Sequence, residues 1–548
     1  MTLKPFLLAG AVAALVIAPL AAQNRSAPEG KGKAKPNAEA QHAPDEPGAT
    51  DAEPRGHGDK MGDPDMAVAT AVEQAQPKRG SVTVNGKLIT YTVTPGTLTI
   101  RNDDGEPIAS MFYVAYVADR AKGAPERPIT FAYNGGPGSS SMWLHMGSMG
   151  PVRVDTPQPG AQPNGPFPIG ENHNTILDHT DIVFMDAIGT GLSRPIGKSK
   201  GPEFWGVDQD IDAYTRAIMR YMTINDRWNS PKFLFGESYG TLRSAGLVYA
   251  LQDKGVQMNG VVLLSSILNY GVRQPGYDQI HVTYLPSYAA DAWYHNRLQN
   301  RPATLEPFLT QVRAWAAGPY ASALQKGSDI SPQEKQAIAQ QMSAYTGLPV
   351  DYILKSDLRV DLSRFRKELL RGEGKTIGRL DARFTGYDAD DAGEGPEYDP
   401  ADTSLSGPYI GALNKYLFGT LGYKTKLSYR PNYYVAIGGN HWDSSHKAPG
   451  RGGFGKMALA DTALDLAQAM RQNPSLKVMS LNGYYDMATP FFGAEFDLKH
   501  MQIPADLRKN LSFKYYESGH MVYVNNAVRP QFKQDIDDFI DMASRPGG

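Results

Sequence analysis

Six short, nearly continuous apolar runs recur along the chain: PITFAYN at 128–134, DIVFMDA at 181–187, KFLFGES at 232–238, GVVLLSSI at 260–267, LKVMSLNG at 476–483 and LSFKYYES at 511–518. Such runs suit strands buried on both faces, because a strand with one wet face alternates apolar with polar residues. Between the second and third, Val207, Ile211, Tyr214, Ile218, Met219 and Met222 fall on one face of a helix. Strands alternating with helices predict a mostly parallel α/β sheet. Ahead of the first run the pattern changes. SVTVNGKLITYTV alternates around Asn85-Gly86 and LTIRNDDGEPIASMFYVAYV around Asp104-Gly105, two hairpin signals that predict antiparallel strands opening the sheet.

The interval 271–427 carries helical stretches such as PQEKQAIAQQMSAYTGL and DYILKSDLRVDLSRFRKELLRG. So long a loop without structure does not fit a compact fold, and a mainly helical cap inserted over the site is predicted there. The core is then expected in two parts, 77–270 and 428–548. Trp293, Tyr294, Trp315 and Tyr320 of the cap are expected to pack within it rather than line a pocket. No internal repeat is found.

Composition sharpens this picture. In 548 residues, 41% are hydrophobic and 10% aromatic, ample for a large core. Lysine and arginine number 55 against 57 acids, so a net charge of -2 gives no general pull toward nucleic acid or anionic lipid. Nucleic acid is therefore not expected as a partner. With no cysteine, the chain has neither a disulfide framework nor a thiol nucleophile.

The start, MTLKPFLLAGAVAALVIAPLAAQNRS, has the three-part layout of a secretory signal: Lys4, an apolar stretch to about Leu20, then Ala21 and Ala22. A signal peptide over 1–22, cut after Ala22, is expected, because the apolar run falls short of the roughly 20 residues of a membrane span. The mature protein is then exported, periplasmic or extracellular, without stable membrane insertion. Residues 23–76, rich in Ala, Pro, Gly, Lys, Asp and Glu, cannot bury enough apolar surface to order themselves and are read as a disordered leader.

Candidate chemistry centres on LFGESYGT at 234–241. A G-x-S-x-G between a predicted strand and a helix starting near Thr241 is the context of a nucleophile elbow, in which glycines relieve crowding at a strained turn and leave the serine oxygen exposed. Serine is a poor nucleophile until an imidazole takes its proton, and the imidazole needs a carboxylate to fix its tautomer. Asp486, just after the strand of LKVMSLNGYYDMATP, and His520, just after that of LSFKYYESGHMVYV, supply both in the order Ser, acid, His. The glycine run FAYNGGPGSSS at 131–141 lacks a phosphate-loop pattern and suits an oxyanion-stabilising loop instead. His441 and His446 have no spacing or third ligand for a metal and are read as loop residues, and the acidic stretch from Asp388 departs from a calcium loop. No metal and no cofactor is expected.

NGGPG at 134–138, DIVFMDAIGTGLS at 181–193, GESYG at 236–240, the Asp486 segment and SGHMV at 518–522, in that order, resemble the serine carboxypeptidase family of α/β-hydrolases, in a bacterial-type secreted form. The resemblance runs over about 80–540. It implies an α/β-hydrolase fold and release of residues from peptides with a free C-terminus by an acyl-enzyme route without metal. It also implies Ser238 as nucleophile, His520 as base and then acid, Asp486 as its orienter, and the backbone N–H groups of Gly136 and Tyr239 as the oxyanion hole. Asn134, Gly135 and Glu237 match the residues that hold the substrate's terminal carboxylate. Ala132 stands where the family usually has tryptophan, Ser139 where it has cysteine, and Ser148 where a second glutamate pairs with the one at Glu237. Loss of that partner weakens the expectation of an acid optimum, since two carboxyls sharing a proton raise each other's apparent pKa. An esterase or acyltransferase with the same triad is the alternative, and a catalytically silent binding protein a third reading. Oligomeric state is not readable from the sequence.

Overall fold

The computed structural model describes residues 69–161, 164–434, 441–450 and 455–545, all within the compact unit Asp45–Gly548. The expected signal peptide and the leader up to residue 68 lie outside the described residues. Among the described residues no helix is long and apolar enough to cross a membrane.

The alternating segments at the start form β1 (Lys78–Val84), β2 (Lys87–Arg101) and β3 (Pro107–Ala118). β1 and β2 pair antiparallel with Val84 opposite Lys87, across a turn in which Asn85 and Gly86 both take positive φ (49° and 76°). Asn-Gly is suited to that turn because both central residues of the tightest hairpins are left-handed. The six apolar runs become β4 (Ile129–Tyr133), β5 (Asp181–Met185), β6 (Lys232–Glu237), β7 (Gly260–Leu264), β8 (Lys477–Gly483) and β9 (Leu511–Tyr516). They lie in one ten-stranded sheet in the order β1-β2-β3-β5-β4-β6-β7-β8-β9, with the short Arg194–Pro195 strand beside β3. From β5 onward every pairing is parallel. This order, with antiparallel strands leading a parallel set, is that of an α/β-hydrolase.

Each central strand feeds two cores. In β6, Phe233 and Phe235 face one side and Leu234 the other, all fully buried. Fully burying one such side chain stabilises by about 1.5–3 kcal/mol, and the polar residues that do sit in these strands, such as Thr130 and Asn482, are buried with hydrogen-bond partners. β9, at the edge of the sheet, is only half-buried, unlike the expectation for its run. The helices Val207–Ile224, Tyr239–Asp253 and Ala463–Gln472 cover one face and Arg529–Ala543 covers the other. Val207, Ile211, Tyr214, Ile218 and Met222 are the buried stripe of the first of these.

Between β7 and β8 lies a helical region including Gln279–Tyr294, Leu305–Trp315, Pro332–Thr346 and Pro400–Asn414. Its own core takes in Tyr288, Leu309, Tyr320 and Phe365, and reaches Tyr484, Tyr485 and Met487 around Asp486. Trp315 stacks on Tyr320 there, with ring centroids 5.5 Å apart.

The structure departs from the sequence expectation at the end of the leader. Ala71 to Gln76, assigned to the disordered segment, are bonded to β2: the Ala71 carbonyl accepts from Thr99 Oγ1 at 2.7 Å, Glu73 accepts from the Thr99 N–H at 2.9 Å, and the Gln76 N–H donates to the Pro95 carbonyl at 3.0 Å. β1 covers only Lys87 to Val93 of the longer β2, so this edge of β2 has open hydrogen-bonding groups beyond Val93 that the leader's end satisfies. Arg220 grips Glu73 at 2.7 Å.

Candidate active site

β6 delivers Ser238 into a turn whose φ of 60° and ψ of -132° no ordinary residue favours, at the N-terminus of the helix Tyr239–Asp253. Strain of this kind persists only where the surroundings hold it. They do so through absent side chains. A Cβ on Gly236 would stand 2.1 Å from the Gly240 carbonyl oxygen, and one on Gly135 would stand 2.5 Å from the backbone nitrogens of Tyr239 and Gly240. The glycine loop after β4 therefore lies directly against the elbow. The helix begins at Tyr239, earlier than the expected Thr241, since the turn needs Ser238 alone outside helical geometry.

Beneath the elbow, fully buried Arg243 donates to Asp210 Oδ2 at 2.7 Å and to the Asn134 carbonyl at 2.8 Å, and lies over Tyr214 at 4.3 Å. Tyr239 Oη adds a bond to the same Asp210 oxygen at 3.1 Å. One buried ion pair thus clamps the serine helix to the glycine loop. Nothing in the local sequence signals it, because Asp210 and Arg243 lie on different helices.

Ser238 is half-buried, while Asp486 and His520 are almost wholly so. The imidazole Nδ1 of His520 is 2.9 Å from Asp486 Oδ2. Asp486 Oδ1 accepts from the N–H groups of Ala488 and Thr489 at 2.8 and 2.9 Å, and Thr489 Oγ1 stands 2.8 Å from Oδ2. Burial alone would lower the His520 pKa, but the charge of Asp486 and its hydrogen bond, with Glu237 adding to them, hold it above its ordinary value. Thr489 carries no sequence signal of this role, although as the third residue after an acid it is where such a turn closes.

One cavity is lined by Ser238, His520, Asn134, Gly135, Gly136 and Glu237, and also by Trp143, Arg379, Asp402, Tyr434 and Met521. Asp486 stands behind His520, outside the lining. Among the described residues the N–H groups of Gly136 and Tyr239 donate no hydrogen bond, and Gly136 has a φ of 113° that a glycine accepts.

Glu237 is the unusual acid here. It is 3% exposed, and Tyr523 Oη donates to its Oε2 at 2.8 Å. Burial pushes its carboxyl up to about 7, against the opposing effects of nearby His520 and of bonds from Tyr523 and Asn134. Ser148, in place of a second acid, is buried with no hydrogen bond to its Oγ. Loss of the paired acid therefore does not return Glu237 to an ordinary value: desolvation raises it, and a phenol occupies its second oxygen. Nothing in the sequence pairs Tyr523 with Glu237, because their proximity depends on the fold of the segment after His520.

Residues 94–301 match the family model described as serine carboxypeptidase. The matched stretch contains Asn134, Gly135, Gly136, Glu237, Ser238 and Tyr239 and ends before Asp486 and His520. Among solved structures the chain is similar to Kex1, a prohormone-processing carboxypeptidase from Saccharomyces cerevisiae, at 14% identity, with 82% of this chain and 92% of that chain covered and a TM-score of 0.48. It is also similar to a proline iminopeptidase from Mycobacterium smegmatis (12% identity, 82% and 98% covered, TM-score 0.33) and to a carboxyl esterase from Bacillus coagulans (11%, 82% and 98%, 0.35). No curated protein sequence matches the chain.

Among the described residues, no cluster that could hold a metal contains His441 or His446. His446 is instead buried between Asp208 and Asp465, with ring nitrogens 2.6 and 2.8 Å from their oxygens. Asp178, His179 and Asp537 do converge, but the Lys533 ammonium bonds both carboxylates and occupies the place a cation would take.

Proposed function

We propose that this protein is an exported serine carboxypeptidase that releases residues from the C-terminus of peptides through an acyl-enzyme. Ser238 Oγ attacks the scissile carbonyl while the free ring nitrogen of His520 takes its proton. Asp486 fixes the tautomer by accepting from Nδ1 and stabilises the imidazolium that forms, and Thr489 holds the carboxylate. The N–H groups of Gly136 and Tyr239 receive the oxyanion, and the positive end of the Tyr239–Asp253 helix adds to that stabilisation. His520 then protonates the departing amine, and water repeats the sequence on the ester. The catalytic elements come from the core segments 77–270 and 428–548, with 271–427 as the cap.

The observation that favours a carboxypeptidase over an esterase is Glu237. A buried carboxyl with a pKa near 7, bonded by Tyr523 and facing Asn134 in the cavity of Ser238, is a hydrogen-bond donor to an anionic substrate terminus. An esterase leaving group offers no such anion.

Blocked dipeptides, their C-terminal amides and simple acyl esters compared side by side test this. Free acids are expected to exceed amides by about ten- to a hundredfold in kcat/KM, the worth of hydrogen bonds to a charged group. Indifference to amidation together with faster turnover of short esters would leave the esterase in its place.

A further inference from the structure

The cavity of Ser238 has a second charged wall. Arg379 follows the short strand Thr376–Ile377, and its backbone is tied to the loops of the other two triad residues. Its carbonyl accepts from the Met487 N–H at 3.1 Å, next to Asp486, and the carbonyl of Leu380 accepts from the His520 N–H at 2.6 Å. Both oxygens of Asp399 bind this turn from below, accepting from the N–H groups of Arg379 and Leu380 at 3.0 Å each. The backbone is thus fixed independently of the side chain.

The residue is 9% exposed and lines the cavity with Asn134, Glu237 and Ser238. Among the described residues, its guanidinium has no hydrogen bond and no ion pair within 4.0 Å. Asp402 lines the same cavity without pairing: Ser406 donates to its Oδ1 at 2.9 Å, and burial with the charge of Asp399 keeps its carboxyl above the usual range. A guanidinium with no partner of its own in this cavity leaves its fork of N–H donors open to an anion that enters. Arginine's planar fork suits a carboxylate, which it binds bidentately.

We propose that Arg379 receives the side-chain carboxylate of the released residue, making peptides that end in glutamate or aspartate the preferred substrates. This rests on the carboxypeptidase reading above. The terminal carboxylate is joined to the scissile nitrogen through a single Cα, so it stays beside Ser238, where Asn134, Gly135 and Glu237 adjoin the elbow. Arg379 arrives instead with the loops of Asp486 and His520. An acidic residue presents two carboxylates, and the cavity presents two polar walls to meet them.

The test is kcat/KM for blocked dipeptides ending in Glu, Gln, Leu and Lys, as acids and amides, on wild type, Arg379→Gln, Arg379→Lys and Arg379→Glu. Wild type is expected to favour Glu over isosteric Gln by about ten- to a hundredfold. In Arg379→Gln that ratio falls to near one, Arg379→Lys retains part of it, and Arg379→Glu turns the preference toward Lys. Covalent labelling of Ser238 by an organophosphorus reagent reports whether each variant keeps its elbow. Equal rates on Glu and Gln in wild type overturn the proposal without touching the carboxypeptidase reading. So does an Arg379→Gln variant that loses Glu-ending and Gln-ending acids alike while sparing their amides, which would assign the arginine to the terminal carboxylate. Wild type that ignores amidation altogether removes the underlying reading, and is seen before any variant is made.

Discussion

At the scale of single residues, the triad makes graded demands. Ser238→Ala removes the bond-forming atom, so peptide turnover should fall by several orders of magnitude with the fold intact; a variant keeping a tenth of the wild-type rate would take Ser238 out of the mechanism. Asp486→Asn should lower kcat by about a thousand- to ten-thousandfold, because an amide favours the wrong imidazole tautomer. Thr489→Val, which leaves the two backbone donors to Asp486 in place, should lose only about five- to tenfold. On the proposed reading, Glu237 carries the pH dependence of binding. With its carboxyl pushed up to about 7 by burial, it would be neutral below that pH and able to donate to a substrate's terminal carboxylate, and charged and repelling it above. KM for free-acid peptides should therefore rise as pH passes about 7, with little change for amides, and Glu237→Gln should flatten the rise. A KM that stays level across that range in wild type would show that Glu237 does not face the substrate. Ser238, Asp486 and His520 are legible in sequence because each follows an apolar run with a short turn. Tyr523, Thr489 and Arg379 are not, since what matters about them is proximity across the fold.

At the scale of elements, the strands were readable and their meeting points were not. β4 to β8 announce themselves as mostly apolar runs because both of their faces are buried, whereas β9, at the sheet edge, is half-buried and carries Ser512 and Lys514. The close approach of the glycine loop to the elbow has no such signature: Gly135 is unremarkable in a glycine-rich stretch until its missing Cβ is found to leave 2.5 Å to the Tyr239 nitrogen. Gly135→Ala should push the loop from the elbow, displacing the N–H of Gly136 from that of Tyr239. A shift near 1 Å lowers kcat by about a hundredfold. The measurement is kcat beside the melting temperature. If thermal stability collapses along with activity, the loop is a packing element first and an oxyanion element second. The leader illustrates the opposite limit: its composition argues against order as far as Gln76, yet Ala71 to Gln76 are held by the open edge of β2, a property of the partner strand and not of the segment itself.

At the scale of the whole molecule, His446 ties together elements that lie apart in the chain. It lies 238 residues from Asp208, in the first turn of the helix Val207–Ile224, and 19 from Asp465 in the helix Ala463–Gln472, and its two ring nitrogens meet both carboxylates. Trp442 of the same stretch packs edge-on against Tyr239, with ring centroids 5.3 Å apart, so the fastening reaches the residue after the nucleophile. Both nitrogens can donate only if the imidazole is protonated. Burial opposes that charge, but the two aspartates outweigh it and raise the pKa from 6.5 to about 9. A group whose folded pKa is raised contributes its full stabilisation below the unfolded value and loses it as pH climbs through the folded one. The contribution should thus be complete below about pH 6.5, decline across the interval to about 9 and vanish beyond it, with a ceiling on the order of 3 kcal/mol. His446→Gln keeps a donor for one aspartate and never charges, so its melting temperature should lie several degrees below wild type at pH 6 and approach it above pH 9. Melting curves for the two proteins that stay parallel from pH 6 to 10 would mean that His446 is neutral in the fold and that the aspartates are held by other groups, Lys456 beside Asp208 among them.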